Sequence, residues 1–197
     1  MSQTYVIKVS ASVREEVSAS DKRRKKLVLT EICDPDEQRS ILKERLQERG
    51  WTEAEGSDGK RWTKSEGGVT QTLDLEDMSV EAEVTLERVL ERERTITVVG
   101  DRDRDDPNAR RTKERTELEE RIAIKAEEKQ QVEEALQEEI AETLDRTEEE
   151  RTKELNEVVR EVYAESLKRK ARRLGSVTEV REGQSGQDYE LVIKITE

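Results

Sequence analysis

An α+β fold follows from three features of the sequence. Segments of strict two-residue apolar alternation lie toward both ends of the chain, a short capped helix sits among the first of them, and residues 108–174 contain neither Gly nor Pro. The expected architecture is an antiparallel sheet, ferredoxin-like in tendency, with a long charged helical arm or helical hairpin inserted before the C-terminal strands. Residues 1–106 with 175–197 would form the α+β domain and residues 107–174 the arm.

The first strand is written in Tyr5, Ile7, Val9, Ala11 and Val13, whose period of two places them on one face. Residues 27–32 form a second strand candidate. The polar stretch 14–26 then reads as a long hairpin connection, and its basic run Lys22, Arg23, Arg24, Lys25 and Lys26 as solvated charge that blunts a sheet edge rather than a nucleic-acid signal. Asp34 and Pro35 open a helix in the expected order, an Asp N-cap followed by Pro at the first helical position, with Glu37 where the acid of a capping box would sit. Ile41, Leu42 and Leu46 supply its buried stripe. Gly50 stops it, being free to adopt positive φ.

Alternation then returns around Trp62, along Val69, Gln71, Leu73 and Leu75, along Val80, Ala82, Val84 and Leu86, and at Ile96 and Val98. Glycines at 56, 59, 67 and 68 mark the turns of a meander. Trp51 and Trp62 are the largest apolar groups available and are expected to anchor the core. The helical region is dominated by strong helix formers. As one rod of about 65 residues it would reach on the order of 100 Å. It carries one apolar series at Leu118, Ile122, Ala126, Val132, Leu136, Ile140 and Leu144, and a denser one at Leu155, Val158, Val159, Val162, Leu167, Ala171 and Leu174. The polar stretch 145–153 between them suits a reversal, with Thr147 and Glu150 as its capping box. The absence of Gly and Pro suits a continuous rod, and both remain open at this stage. Gly175 ends the region after a basic last turn, and Tyr189, Leu191, Ile193 and Ile195 mark the closing strand.

Composition excludes whole classes of chemistry. The 197 residues hold 49 Asp and Glu against 37 Lys and Arg, for a net charge of -12, and the 44% charged share is roughly twice the usual one. With no His there is no His base, no Ser-His or Cys-His nucleophile and no His-ligated zinc. Cys33, alone in the chain, can form no internal disulfide and reads as a small structural residue at a strand end. The acidic balance disfavours nucleic acid, no segment reads as a signal or membrane span, and a cytoplasmic location is expected. Asp101, Asp103 and Asp105, with Asp106 and Asn108, resemble the start of a calcium loop. An EF-hand begun at Asp101 would need Gly where Asp106 stands and Glu where Thr112 stands, so a solvated loop with Asp106 capping the helix ahead of Pro107 is the better reading. No catalytic residue, cofactor or metal is expected.

Residues 29–51, LTEICDPDEQRSILKERLQERGW, resemble the opening of the conserved hypothetical proteins of plastid and cyanobacterial genomes: a strand, an Asp-containing turn and a helix with a Leu-x-x-x-Gly stop. Residues 159–195, with VYAESLKRKARRLG and Tyr163, are similar to the close of the same family. The resemblance covers about a third of the chain. Composition and layout also resemble the accessory X domains of bacterial ternary systems, in which an FtsH-type or MoxR-type AAA+ ATPase and a von Willebrand A protein act with small partners. That resemblance implies an adaptor working with an ATPase. The residues themselves point to a helical arm that binds a protein through Leu136, Ile140, Leu144, Leu155, Val159 and Val162, either a partner protein or a second copy of the chain in a homo-oligomer.

Overall fold

Val17 and Ala19 continue the odd-numbered apolar face that starts at Tyr5, broken only at Glu15. The backbone follows this longer alternation. In the computed structural model, which describes residues 4–101, 106–185 and 188–196, strand β1 runs Thr4–Lys26 without a turn. The basic run 22–26 therefore lies on a strand and not in a hairpin connection. Residues 27–32 are not a strand, because side chains serve their backbone. Tyr163 Oη accepts from Thr30 N at 2.7 Å, while Gln38 Oε1 accepts from Ile32 N at 3.0 Å and Gln38 Nε2 donates to Thr30 O at 2.8 Å.

Helix α1 (Pro35–Glu48) begins as its sequence dictates. Asp34 Oδ1 accepts from Asp36 N and Glu37 N at 3.0 and 3.3 Å, and Pro35 occupies the first turn. Gly50, at φ 82°, closes it: Gly50 N donates to Gln47 O at 3.1 Å and Trp51 N to Leu46 O at 3.0 Å. This closure turns Trp51 back over Leu46, and both enter the same core. Strands β2 (Thr52–Glu53), β3 (Arg61–Glu66), β4 (Val69–Asp74) and β5 (Ser79–Asp101) then form the meander. With β1 they make a five-stranded antiparallel sheet in the order β1-β5-β4-β3-β2. The alternating segments around Val80 and around Ile96 are one strand, β5, rather than two.

Asp106 Oδ1 accepts from Asn108 N at 3.1 Å and caps α2 (Pro107–Ile122). The helical region is divided, but at 123–125 and not in the polar stretch. Ile122 and Ile124 are both buried. In a continuous helix two residues apart face opposite ways, so the break lets both leave solvent. Lys125 then starts α3 (Ala126–Leu174) by accepting at its carbonyl from Glu128 N and Lys129 N, while Glu128 Oε2 accepts from Lys125 N at 3.2 Å. A glutamate reaching back from the third helical position does the work for which Gly or Pro was expected. Residues 145–153 stay helical, and Thr147 Oγ1 donates to Thr143 O at 2.8 Å instead of capping a reversal. After α3, β6 (Ser176–Ser185) and β7 (Asp188–Thr196) form a separate antiparallel pair. Asp103 and Asp105 of the calcium-loop resemblance, and Gly186, lie outside the described residues.

The chain divides into two units, Met1–Ser20 with Thr85–Ile140, and Asp21–Val84 with Ala141–Glu197. In the first, Tyr5, Ile7, Val9 and Ala11 of β1 pack with Leu118 and Ile122 of α2, and Ile96 and Val98 of β5 join them. A Cβ at Gly100 would overlap the Tyr5 ring, which explains a glycine inside a strand. In the second, Ile41, Leu42 and Leu46 of α1 meet Trp51, Trp62, Leu73, Leu75 and Val80 on one side and Leu155, Val158 and Val162 of α3 on the other. Leu42→Ala should lower unfolding free energy by about 3 kcal/mol, measured by urea denaturation. Val28→Ala, at a side chain 77% exposed, should leave it within about 0.5 kcal/mol of the parent.

Candidate functional site

The last third of α3 carries more apolar residues than one helix face can hold. Leu155, Val158 and Val162 form an inner line that closes the second core. Val159, Tyr163 and Leu167, at spacings of four, form a second line beside it. This outer line, with Ile32 before α1 and Leu191 of β7, walls an open groove of about 540 Å³ whose remaining lining is Asn156, Arg160 and Ala164. Val159 is half-buried and Leu167 is 39% exposed. Exposed apolar side chains continue along the same region of sequence at Leu174, Val180, Val192 and Ile195.

The helix that presents this line is clamped to α1. Arg49 donates from Nη1 to Glu157 at 3.1 Å and from Nη2 to Glu161 at 2.7 Å, and the Glu161 bond holds its guanidinium above the ordinary arginine range against the opposing effect of burial. Arg169 reaches Glu44 at 3.3 Å and Glu165 at 3.1 Å, and Arg173 reaches Glu37 at 2.8 Å. Glu37, placed for a capping box, thus spends its charge on the helix opposite. Tyr163 completes the frame by donating to Val28 O at 3.4 Å while it holds Thr30. Below the groove, Glu154 Oε1 accepts from Lys64 Nζ at 2.9 Å and from Trp51 Nε1 at 3.3 Å. Burial works against the Lys64 charge, but the hydrogen bonds to Glu154 and Glu66 outweigh it and hold the ammonium above its ordinary range.

Of the six residues expected to bind a partner, only Val159 lines this groove. Leu136 and Ile140 in the first unit, and Leu144, Leu155 and Val162 in the second, are buried within the chain, all but Leu155 nearly completely. Most of both apolar series is thus packed within the chain, while Leu167 and Leu174 of the second stay exposed. Tyr163, Leu167, Ile32 and Leu191 are the groove residues that the sequence reading did not assign to an interface, although Leu167 stood in the second apolar series and Leu191 in the closing strand. The signal for the first two was present in the double width of the second stripe, since 155, 158 and 162 occupy one face and 159, 163 and 167 the next. Ile32 and Leu191 come from distant segments and carry no such local sign.

Among the described residues, no group of His, Cys, Asp and Glu side chains could hold a metal ion, and no helix is long and apolar enough to cross a membrane. Cys33 is a free thiol in the loop before α1. The architecture is that of a charged α+β accessory domain with an open apolar groove. The chain belongs to the family described as FtsH ternary system domain X5, whose model matches residues 1–196. This agrees with the resemblance to the X domains of such systems. No curated protein and no solved structure matches it.

Lys64 contributes fully to stability below its unfolded-state pKa of about 10.4, and that contribution disappears as pH rises through the raised folded value. Glu154→Gln should therefore lower stability at neutral pH by about 1 kcal/mol and reduce the further loss on going to alkaline pH. Urea titrations at the two pH values measure both effects.

Proposed function

We propose that this chain is a non-enzymatic adaptor that binds a protein of its FtsH-type AAA+ system, either the ATPase or a von Willebrand A partner, through the groove of Val159, Tyr163 and Leu167. The observation that carries the reading is an apolar line left open on a helix whose every other large apolar line is covered. Family membership supports a partner within the ternary system. A groove walled by a helix on one side and a β-strand on the other suits an apolar face of a partner helix, with the charged rim selecting register.

A second reading, self-assembly into a homo-oligomer, draws on β6 and β7. They form a two-stranded sheet in which each strand has one unpaired edge, and Val180, Val192 and Ile195 are exposed on it. Sedimentation analysis at several concentrations separates the two, because self-assembly alone predicts a defined multiple of the chain mass without added partner.

The combined substitution Val159→Ser and Leu167→Ser should weaken binding to the purified ATPase or von Willebrand A protein of the same system by about tenfold or more. Thermal unfolding should change little, since neither side chain belongs to the buried core. Undiminished binding by a folded double variant would refute the groove as the interface.

A further inference from the structure

A second concavity lies elsewhere in the same unit, where the end of β1, strands β4 and β5 and the middle of α3 meet. It has a volume of about 450 Å³, and its lining includes Arg23, Arg24, Lys25, Gln71, Arg151 and Leu155. Four cationic side chains thus face it against a single carboxylate, Glu148, in a chain whose net charge is -12. Two of the cations are compensated. Arg23 pairs with Asp145 and lies 3.5 Å from Glu148, while Arg24 pairs with Asp77 and donates to Ser79 Oγ at 2.9 and 3.1 Å.

The other two have no carboxylate within ion-pair distance among the described residues. Arg151 donates from Nε to Thr147 O at 3.2 Å and from Nη2 to Leu144 O at 2.8 Å, both carbonyls of its own helix, which leaves Nη1 unengaged. Its guanidinium is half-buried, and burial holds it below the ordinary arginine range, with the Glu148 charge opposing that effect and the Arg23 charge adding to it. Lys25, on β1, makes neither an ion pair nor a side-chain hydrogen bond to the described residues. Gln71 lies beside them. It stands between Lys64 and Ala82 in the sheet, is 3% exposed, and its amide makes no hydrogen bond to any described residue. The amide is not sealed from solvent, so it lines the cavity as a free donor and acceptor.

We propose that this cavity binds a small phosphorylated molecule, with its phosphoryl group held by Arg151 and Lys25 and its uncharged body lying against Leu155 within reach of the Gln71 amide. A phosphoryl group carries a charge near -2 at neutral pH and three acceptor oxygens. That matches two uncompensated cations and their free N–H donors better than a carboxylate with one charge. The apolar wall of Val80, Ala82 and Leu155 favours an ester with an organic body over the bare ion. Arg23 and Arg24, held by Asp145 and Asp77, are neutralised by those partners, so the uncompensated charge facing the cavity is that of Arg151 and Lys25.

The test uses the full chain and phenyl phosphate, with benzoate and sodium chloride at equal ionic strength as the comparison arms. Phenyl phosphate should raise the unfolding temperature saturably, by on the order of 3 °C, and chloride should not. Benzoate, which shares the ring but carries a carboxylate, should act at least tenfold more weakly. Arg151→Gln and Gln71→Leu should each weaken phenyl phosphate binding by about tenfold. Lys25→Gln, at an exposed strand position that folding does not depend on, should weaken it at least threefold and keeps the site testable if either buried variant fails to fold. No shift beyond that of chloride, benzoate acting as strongly as phenyl phosphate, or unchanged binding by folded Arg151→Gln or Lys25→Gln would each overturn the assignment.

Discussion

The second unit depends on one contact: the inner line of α3, Leu155, Val158 and Val162, closing over Trp51. A chain with no Phe and only 31% apolar residues cannot afford a second layer of large side chains, so each must serve two elements at once. Trp51 does this most fully. The turn at Gly50 brings it over Leu46, its ring joins α1 to the sheet, and its indole nitrogen meets Glu154, which also receives Lys64. Remove that contact and α1, β3 and the end of α3 lose their common neighbour.

The charged residues, nearly half the chain, do a different job. Arg49, Arg169 and Arg173 tie α3 to α1 through carboxylates that hydrophobic packing alone would leave free to slide. Single exposed pairs contribute little. Three such clamps along one helix, however, fix its rotation, and rotation decides which apolar line faces inward and which faces the groove. The groove is therefore a product of electrostatics as much as of apolar pattern.

Local chemistry that acts within a few residues was readable in the sequence. The Asp34 cap, the Gly50 stop, the Asp106 cap and the meander turns each rest on a residue type with one strong backbone preference. What escaped depended on partners far along the chain. Residues 27–32 have strand composition, yet Tyr163, more than a hundred residues away, and Gln38 take their hydrogen bonds. The break at 123–125 carries no Gly or Pro because two isoleucines and a back-reaching glutamate impose it. The helix runs through 145–153 because its polar side chains find charges on β1 and carbonyls on α3 itself. Of the proposed interface, the sequence marked Val159 and overlooked its neighbours, because a stripe two lines wide does not say which line is covered.

The order of strands in the sheet has a consequence for synthesis. β1 precedes β5 in the chain, and among the described strands β5 is its one neighbour in the sheet. Between them the chain must make α1, β2, β3 and β4. For that interval the newborn protein displays a long alternating strand with no companion, the kind of segment that nascent chains tend to glue to one another. Its charged side chains, from Arg14 and Glu16 to the basic run at 22–26, fall at intervals that interrupt the apolar face's neighbours. Charges so placed oppose the pairing of one such unmated strand with another until β5 is made.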